Sequence, residues 1–143
     1  MDLLVLDSSA ALAWVMTDEG LIEPADRLMQ AAAQGEVALV APTLWPYEIA
    51  SGLRRAMRRG RVDADLAWEA LRQLLQQEVV LYPHEEPIYS GWWLTQSHGV
   101  SSYDASYLGL AQHLGSQCIT ADLHLINAVS DTGLTCWLGD YGR

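Results

Sequence analysis

Leu3-Leu4-Val5-Leu6-Asp7-Ser8-Ser9 is the stretch on which the fold turns. Four apolar residues in a row suit a short strand buried on both faces, and the run stops abruptly at an acid and two hydroxyls. Ser8 to Met16 then carries a helical pattern. Outward from there the same alternation repeats. Ala25 to Gln34 reads as a helix stopped at Gly35, and Val37-Ala38-Leu39-Val40 as a second buried strand. A helix from about Leu44 to Arg59 ends at Gly60, and another runs from Asp63 to about Gln77. Val79 to Leu81 is a third strand, Glu86 to Ser97 and Tyr103 to Leu114 are helices, and Gln117 to Thr120 is a fourth strand. A short helix and a strand around Leu134 to Leu138 close the chain.

Strands that alternate with helices and are apolar on both faces predict an α/β fold with a mainly parallel sheet covered by helices on both sides. No linker, repeat or low-complexity segment interrupts the pattern, so residues 1–143 are expected to form one domain. No apolar run approaches the roughly 18 residues of a membrane span, and no signal segment is visible. Cys118 and Cys136 lie in short apolar segments without partner histidines, which favours buried reduced thiols over zinc and fits a cytoplasmic location.

The formal charge is -10, and all eight bases are arginine. Chemistry that needs a lysine is excluded, a phosphate-gripping P-loop included. An acidic total also argues against general coating of nucleic acid, because that runs on phosphate neutralisation. Any grip on a polyanion must therefore be local. Five arginines, Arg54, Arg55, Arg58, Arg59 and Arg61, crowd the end of one helix. At about 100° per residue Arg55 and Arg59 share the face of Glu48, with Gly52 between them giving close access. Arg54 and Arg58 lie about 100° around. The four form a candidate phosphate track; pairing with Asp63, Asp65 and Glu69, or with the helix C-terminus, explains them equally well.

In an open α/β sheet ligands bind outside the carboxyl ends of the strands, which singles out Asp7 and Asp122. Each also suits a helix N-cap. Asp104 has a capping-box context in Ser101-Ser102-Tyr103-Asp104, and Glu48 on a helix reads by itself as solvated. Converging, the four would repel strongly unless a divalent cation kept them ionised. Oxygen donors without nearby His or Cys favour Mg²⁺ or Mn²⁺.

Over nearly its full length the chain resembles PIN domains of the VapC type. The matching segments are Leu6-Asp7-Ser8-Ser9-Ala10, Pro42-Thr43-Leu44 leading to Tyr47-Glu48, Arg59-Gly60-Arg61, Tyr103-Asp104-Ala105-Ser106-Tyr107-Leu108 and Thr120-Ala121-Asp122-Leu123. The resemblance implies an α/β/α sandwich and a metal-dependent endoribonuclease, in many cases a toxin silenced by a cognate antitoxin. It assigns Asp7, Glu48, Asp104 and Asp122 to a catalytic quartet binding Mg²⁺ or Mn²⁺, with Ser8 and Thr120 as supporting hydroxyls. Ser51 stands where the family often has Asn, three residues after Glu48.

No serine or cysteine sits in a nucleophile motif, so water is the expected attacking group on an RNA phosphodiester. Tyr89, Trp92 and Trp93 could stack on unpaired bases, but core or dimer packing is the plainer explanation, and a homodimer is expected. The rival to an enzyme is a silent PIN-fold module that binds RNA or protein. A phosphohydrolase would want Asp-x-Asp after the first strand, and a receiver domain would want a lysine.

Overall fold

The structure, a computed structural model, describes Met1–Arg143. Strand β1 (Asp2–Leu6) leads through α1 (Ser8–Leu12) and α2 (Ile22–Ala33) to β2 (Val37–Pro42). Helices α3 (Trp45–Arg58) and α4 (Ala64–Leu75) then lead to β3 (Val79–Tyr82). Helices α5 (Glu86–His98) and α6 (Ser102–Leu114) lead to β4 (Gln117–Thr120), and α7 (Leu123–Ala128) to β5 (Thr135–Trp137), followed by a single 3₁₀ turn. The five strands are all parallel, in the order β3-β2-β1-β4-β5. This is the expected α/β/α arrangement.

Chain direction across the sheet reverses at β1, which pairs with β2 on one side and β4 on the other. The crevice between the carboxyl ends of β1 and β4 is therefore the topological switch point, where such sheets bind ligands. Val5, Leu6, Cys118 and Ile119 of these two strands are essentially inaccessible, so the site sits directly on the buried core. No helix is long and apolar enough to cross a membrane.

Several elements depart from the sequence reading. The first helix stops at Leu12, because Trp14 and Val15 bond carbonyls three residues back and the last turn tightens out of the α geometry. Helix α2 starts three residues early, since Pro24 is tolerated in the first turn, where its missing N–H is unpartnered anyway. Burial on both faces fails for β3: it is an edge strand with Val80 65 % exposed. The exposed aromatics of α5 overturn the core reading of that helix, since Tyr89, Trp92 and Trp93 all face solvent.

Helix α6, which carries Asp104, is held by α5 through two glycines. A Cβ on Gly91 would fall on the Ala105 carbonyl, and one on Gly109 would fall on the Pro87 carbonyl. Backbone meets backbone there, so neither side chain nor rotamer can give way. Gly109→Ala is expected to destabilise the protein by about 2 kcal/mol or more, the upper part of the overpacking range. Chemical denaturation checks it; a loss within a few tenths of a kcal/mol would mean that the α5–α6 contact is loose.

Candidate functional site

Asp7 follows β1 in register beside Thr120 at the end of β4, and its backbone N–H donates to the Ile119 carbonyl at 3.1 Å. Its side chain does not cap α1. Instead Oδ2 accepts from Ser9 Oγ at 2.6 Å and from Thr120 Oγ1 at 2.7 Å. Each of those hydroxyls in turn accepts a backbone N–H, Ser9 from Ala121 and Thr120 from Asp122, both at 3.0 Å. An ionised Asp7 can only accept, so both hydroxyls direct their protons to it, while their own oxygens lie 3.1 Å apart. Oδ1 receives no protein donor.

Asp7 is only 5 % exposed. Burial pushes its carboxyl up to about 6; the two hydroxyls pull the other way, and the charges of Asp104 and Glu48 push it further up. Asp104 is raised too, by burial first and then by Asp122 and Glu48, while Ser101 lowers it. Ser101 caps α6, accepting from the Asp104 N–H at 3.1 Å, as its sequence context suggested. Asp122 does cap its helix: Oδ1 accepts from His124 N at 2.9 Å and Leu125 N at 3.3 Å. For Asp122 the capping and site readings are compatible, since its charge is felt by Asp104.

The four acids therefore form one electrostatic group, and none is paired with an arginine or histidine. They do not form a ready-made cage: no three His, Cys, Asp or Glu side chains converge at metal-ligand geometry. What fits a hard dication is the donor chemistry, all carboxylate oxygen with no compensating base. Closing on one would take side-chain adjustment.

Of the two supporting hydroxyls expected, Thr120 holds Asp7 and Ser8 reaches Glu48 Oε1, though at a long 3.5 Å. Ser9 was missed; in the Ser8-Ser9 doublet nothing in sequence says which hydroxyl folds back on the acid. Tyr107 was missed as well. Its ring is fully buried, its hydroxyl has no hydrogen-bond partner, and burial with Glu48 nearby pushes its ionisation well up. The signal was its position one helical turn after Asp104, on the same face.

Arg54, Arg55, Arg58 and Arg59 are exposed and make no ion pair. Of their expected structural partners, Asp63 caps α4, Glu69 meets Arg72, and Asp65 forms no ion pair with them. Arg61 departs from the group, clamping Asp18 at 2.7 Å and Glu19 at 3.1 Å. Gly52 does not open access to a ligand; a Cβ there would strike Leu12, so it marks where α1 packs on α3. Arg55 alone of the four lines the cavity of about 360 Å³ that contains Glu48. Cys118 is buried and Cys136 half-buried, both unbridged, with thiols pushed up by burial.

Residues 4–130 match the family described as the PIN domain. The chain is 37 % identical over 131 residues to VapC ribonuclease Mb0985 of Mycobacterium bovis, covering 92 % of this chain and 91 % of the relative. It is 32 % identical to ribonuclease VapC3 of Pyrobaculum aerophilum, covering 85 % and 91 %. Among solved structures it resembles PAE2754 from Pyrobaculum aerophilum at TM-score 0.68 and 24 % identity, over 96 % of this chain and 91 % of the other. VapBC-1 from nontypeable Haemophilus influenzae matches at 0.60 and 19 %, over 94 % and 96 %. These last two likenesses bear on the fold.

Asp7 makes stability depend on pH with a definite sign. Its folded carboxyl titrates near 6 against 3.8 for the free group, so it is easier to ionise when unfolded. Below the lower value there is no penalty. As pH rises through the window the penalty grows, reaching about 3 kcal/mol above the upper value. In chelator, the parent should therefore lose stability between pH 4 and pH 7. Asp7→Asn, whose amide the two hydroxyls can still meet, should show less of that loss and should outlast the parent at pH 7.5. Parallel melting curves for the two proteins across that range would show that Asp7 carries no such strain.

Proposed function

Since the chain belongs to the PIN-domain family, in its VapC ribonuclease branch, we propose that it is a metal-dependent endoribonuclease and the toxin of a toxin–antitoxin pair. It cleaves structured RNA by water attack on a phosphodiester. The observation that carries the reading is the Asp7 carboxylate, held on Oδ2 by two hydroxyls, free of donors on Oδ1, and pressed by the charges of Asp104 and Glu48. A buried charge that the chain does not neutralise suits a group that binds a cation.

Asp7, Glu48, Asp104 and Asp122 would hold Mg²⁺ or Mn²⁺, which when bound acidifies water and offsets the charge that builds on a phosphate. Each residue has a separate share in the arrangement. Ser9 and Thr120 fix the rotamer of Asp7, the N-terminus of α7 fixes Asp122, and Ser8 steadies Glu48. Arg55, in the same cavity as Glu48, takes a phosphate of the RNA, with Arg54, Arg58 and Arg59 extending the grip outward.

Water is the nucleophile because the chain's own candidates are committed elsewhere. Ser9 and Thr120 give their protons to Asp7, Ser8 is turned to Glu48, and both thiols are held neutral by burial. No histidine ring is hydrogen-bonded to a site hydroxyl: His84 and His113 pack around Tyr82, His98 meets Asp131, and of His124 only the backbone N–H bonds, to Asp122.

An antitoxin that reaches an arginine or lysine into the crevice would neutralise the same carboxylates and stop cleavage. A second copy of the chain is the partner proposed for α5, whose Ile88, Tyr89, Trp92 and Trp93 are all more than half exposed. The setting is cytoplasmic, where unbridged thiols stay reduced.

Purified protein with a folded RNA and Mg²⁺ or Mn²⁺ is expected to cleave, and chelator to stop it. Asp7→Asn and Asp104→Asn should each lower the rate at least 100-fold, the scale of losing a group that organises a metal site. Mg²⁺ should raise the melting temperature of the parent and barely move either variant. Binding of RNA without cleavage at any metal concentration would leave a silent RNA-binding module. For self-association, light scattering at micromolar concentration should give about twice the 15.8 kDa chain mass, and Trp93→Glu should return it to one. A monomeric parent would remove the dimer.

A further inference from the structure

Two tyrosines flank the acidic crevice without serving the fold. Tyr47 is 78 % exposed and Tyr103 is 67 % exposed. They come from different helices, in the first turns of α3 and α6, and each immediately precedes one of the four acids, Glu48 and Asp104. Neither ring pairs with another aromatic ring. Scattered exposed aromatics need no explanation, but these two line one cavity. Its remaining walls are Leu44, Glu48, Ser51 and Arg55, and its volume is about 360 Å³.

That lining is specific in its chemistry. Two flat, amphipathic rings offer faces to a flat ligand, Arg55 offers a planar cation to a phosphate, and Glu48 ties the space to the acidic group. Ser51 can donate or accept, so it imposes no fixed hydrogen-bond pattern on a base edge. Tyr103 and Leu44 also wall a second cavity of about 250 Å³, lined by Pro42, Pro87 and Ile88 among others, so Tyr103 stands between two adjoining hollows. A base in a duplex has both faces covered by its neighbours and cannot enter such a slot. An unpaired base can.

Resting on the ribonuclease reading above, we propose that this cavity is a subsite for one unpaired nucleobase of the RNA beside the cleaved bond, stacked on Tyr47 and Tyr103 with its phosphate on Arg55. Stacking is tolerant of base identity, so the subsite selects for single-stranded loops more than for a particular base. The same two tyrosines and arginine would also serve as anchors for a protein partner, and the test separates the two.

The bond cleaved by the parent protein is first mapped on a hairpin RNA with Mg²⁺ or Mn²⁺. Tyr47→Ala and Tyr103→Ala should then each raise KM about tenfold while moving kcat far less, the size expected for loss of one stacking face. Tyr47→Phe and Tyr103→Phe should restore KM, since the ring face and not the hydroxyl makes the contact. An abasic nucleotide beside the cleaved bond should weaken the parent by the same factor and the alanine variants hardly further. 2-Aminopurine at that position should lose fluorescence on binding the parent and keep it with the variants. Unchanged KM in both alanine variants, or an abasic substrate as good as the intact one, would overturn the subsite. So would variants that keep RNA affinity and lose only an antitoxin. A parent that cleaves no RNA fails in the mapping step, and takes the ribonuclease reading down with the subsite.

Discussion

Everything at this site depends on one hydrogen-bonded carboxylate. Asp7 sits where β1 ends, and the hydroxyls that hold it belong to α1 and β4, so the contact laces together the two central strands and the first helix. A buried charge costs free energy unless its polar demands are met. Here only half of them are met: Oδ2 is doubly satisfied and Oδ1 is not, and the carboxyl responds by titrating near 6. The protein thus carries a partly compensated charge at the edge of its buried core. Such strain persists at functional positions because the surrounding structure over-determines it.

The other three acids are brought to Asp7 by packing that has nothing charged in it. Glu48 is placed by the seat of α1 on α3, where Gly52 leaves room for the Leu12 side chain. Asp104 is placed by the glycine contacts between α5 and α6. Asp122 is placed by the register of β4 on β1 and then pinned by the first turn of α7. An apolar core positions a polar site because side chains at native packing density leave no slack for the backbone to shift. Repulsion among the four carboxylates would otherwise drive them apart.

How much of this is legible in the sequence depends on whether a signal is local. The strand that ends at Asp7 and the cap at Ser101 are written in adjacent residues and are found there, although burial on both faces holds for Val5 and Leu6 and fails for Leu3, which is exposed at the start of the strand. Asp122 looks like a cap and is one. Asp7 looks the same and is not, because its carboxylate is diverted to Ser9 and to Thr120, the latter distant in sequence and adjacent in register. Periodicity alone puts Gly52 on the face of Glu48 and suggests ligand access; only the position of Leu12 shows that the gap is already filled. The apolar run of β3 reads like an interior strand, since nothing in its residues records that it ends up at the sheet edge. Tyr107 lies one helical turn after Asp104 in the sequence, but the burial of its ring with the hydroxyl near Glu48 is supplied only by three-dimensional placement.

A protein of net charge -10 that grips RNA has a problem of its own making. Screening resolves part of it, because at physiological salt the Debye length is about 8 Å and acids elsewhere on the surface contribute little at the end of α3. There, four arginines without ion-pair partners set the local sign, while Arg61 is withdrawn from them by Asp18 and Glu19. The crevice itself stays negative and repels a phosphate as strongly as it attracts a cation. Under the proposed mechanism the two ligands are therefore coupled: neutralising the carboxylates removes the barrier to the phosphate, and a bound phosphate in turn favours the cation, since linkage of this kind is reciprocal. On the proposed reading the arginines and the two tyrosines hold RNA before that happens, so the first contact would fall on α3 and α6 and the chemistry on Glu48 and Asp104, each next to one of the tyrosines.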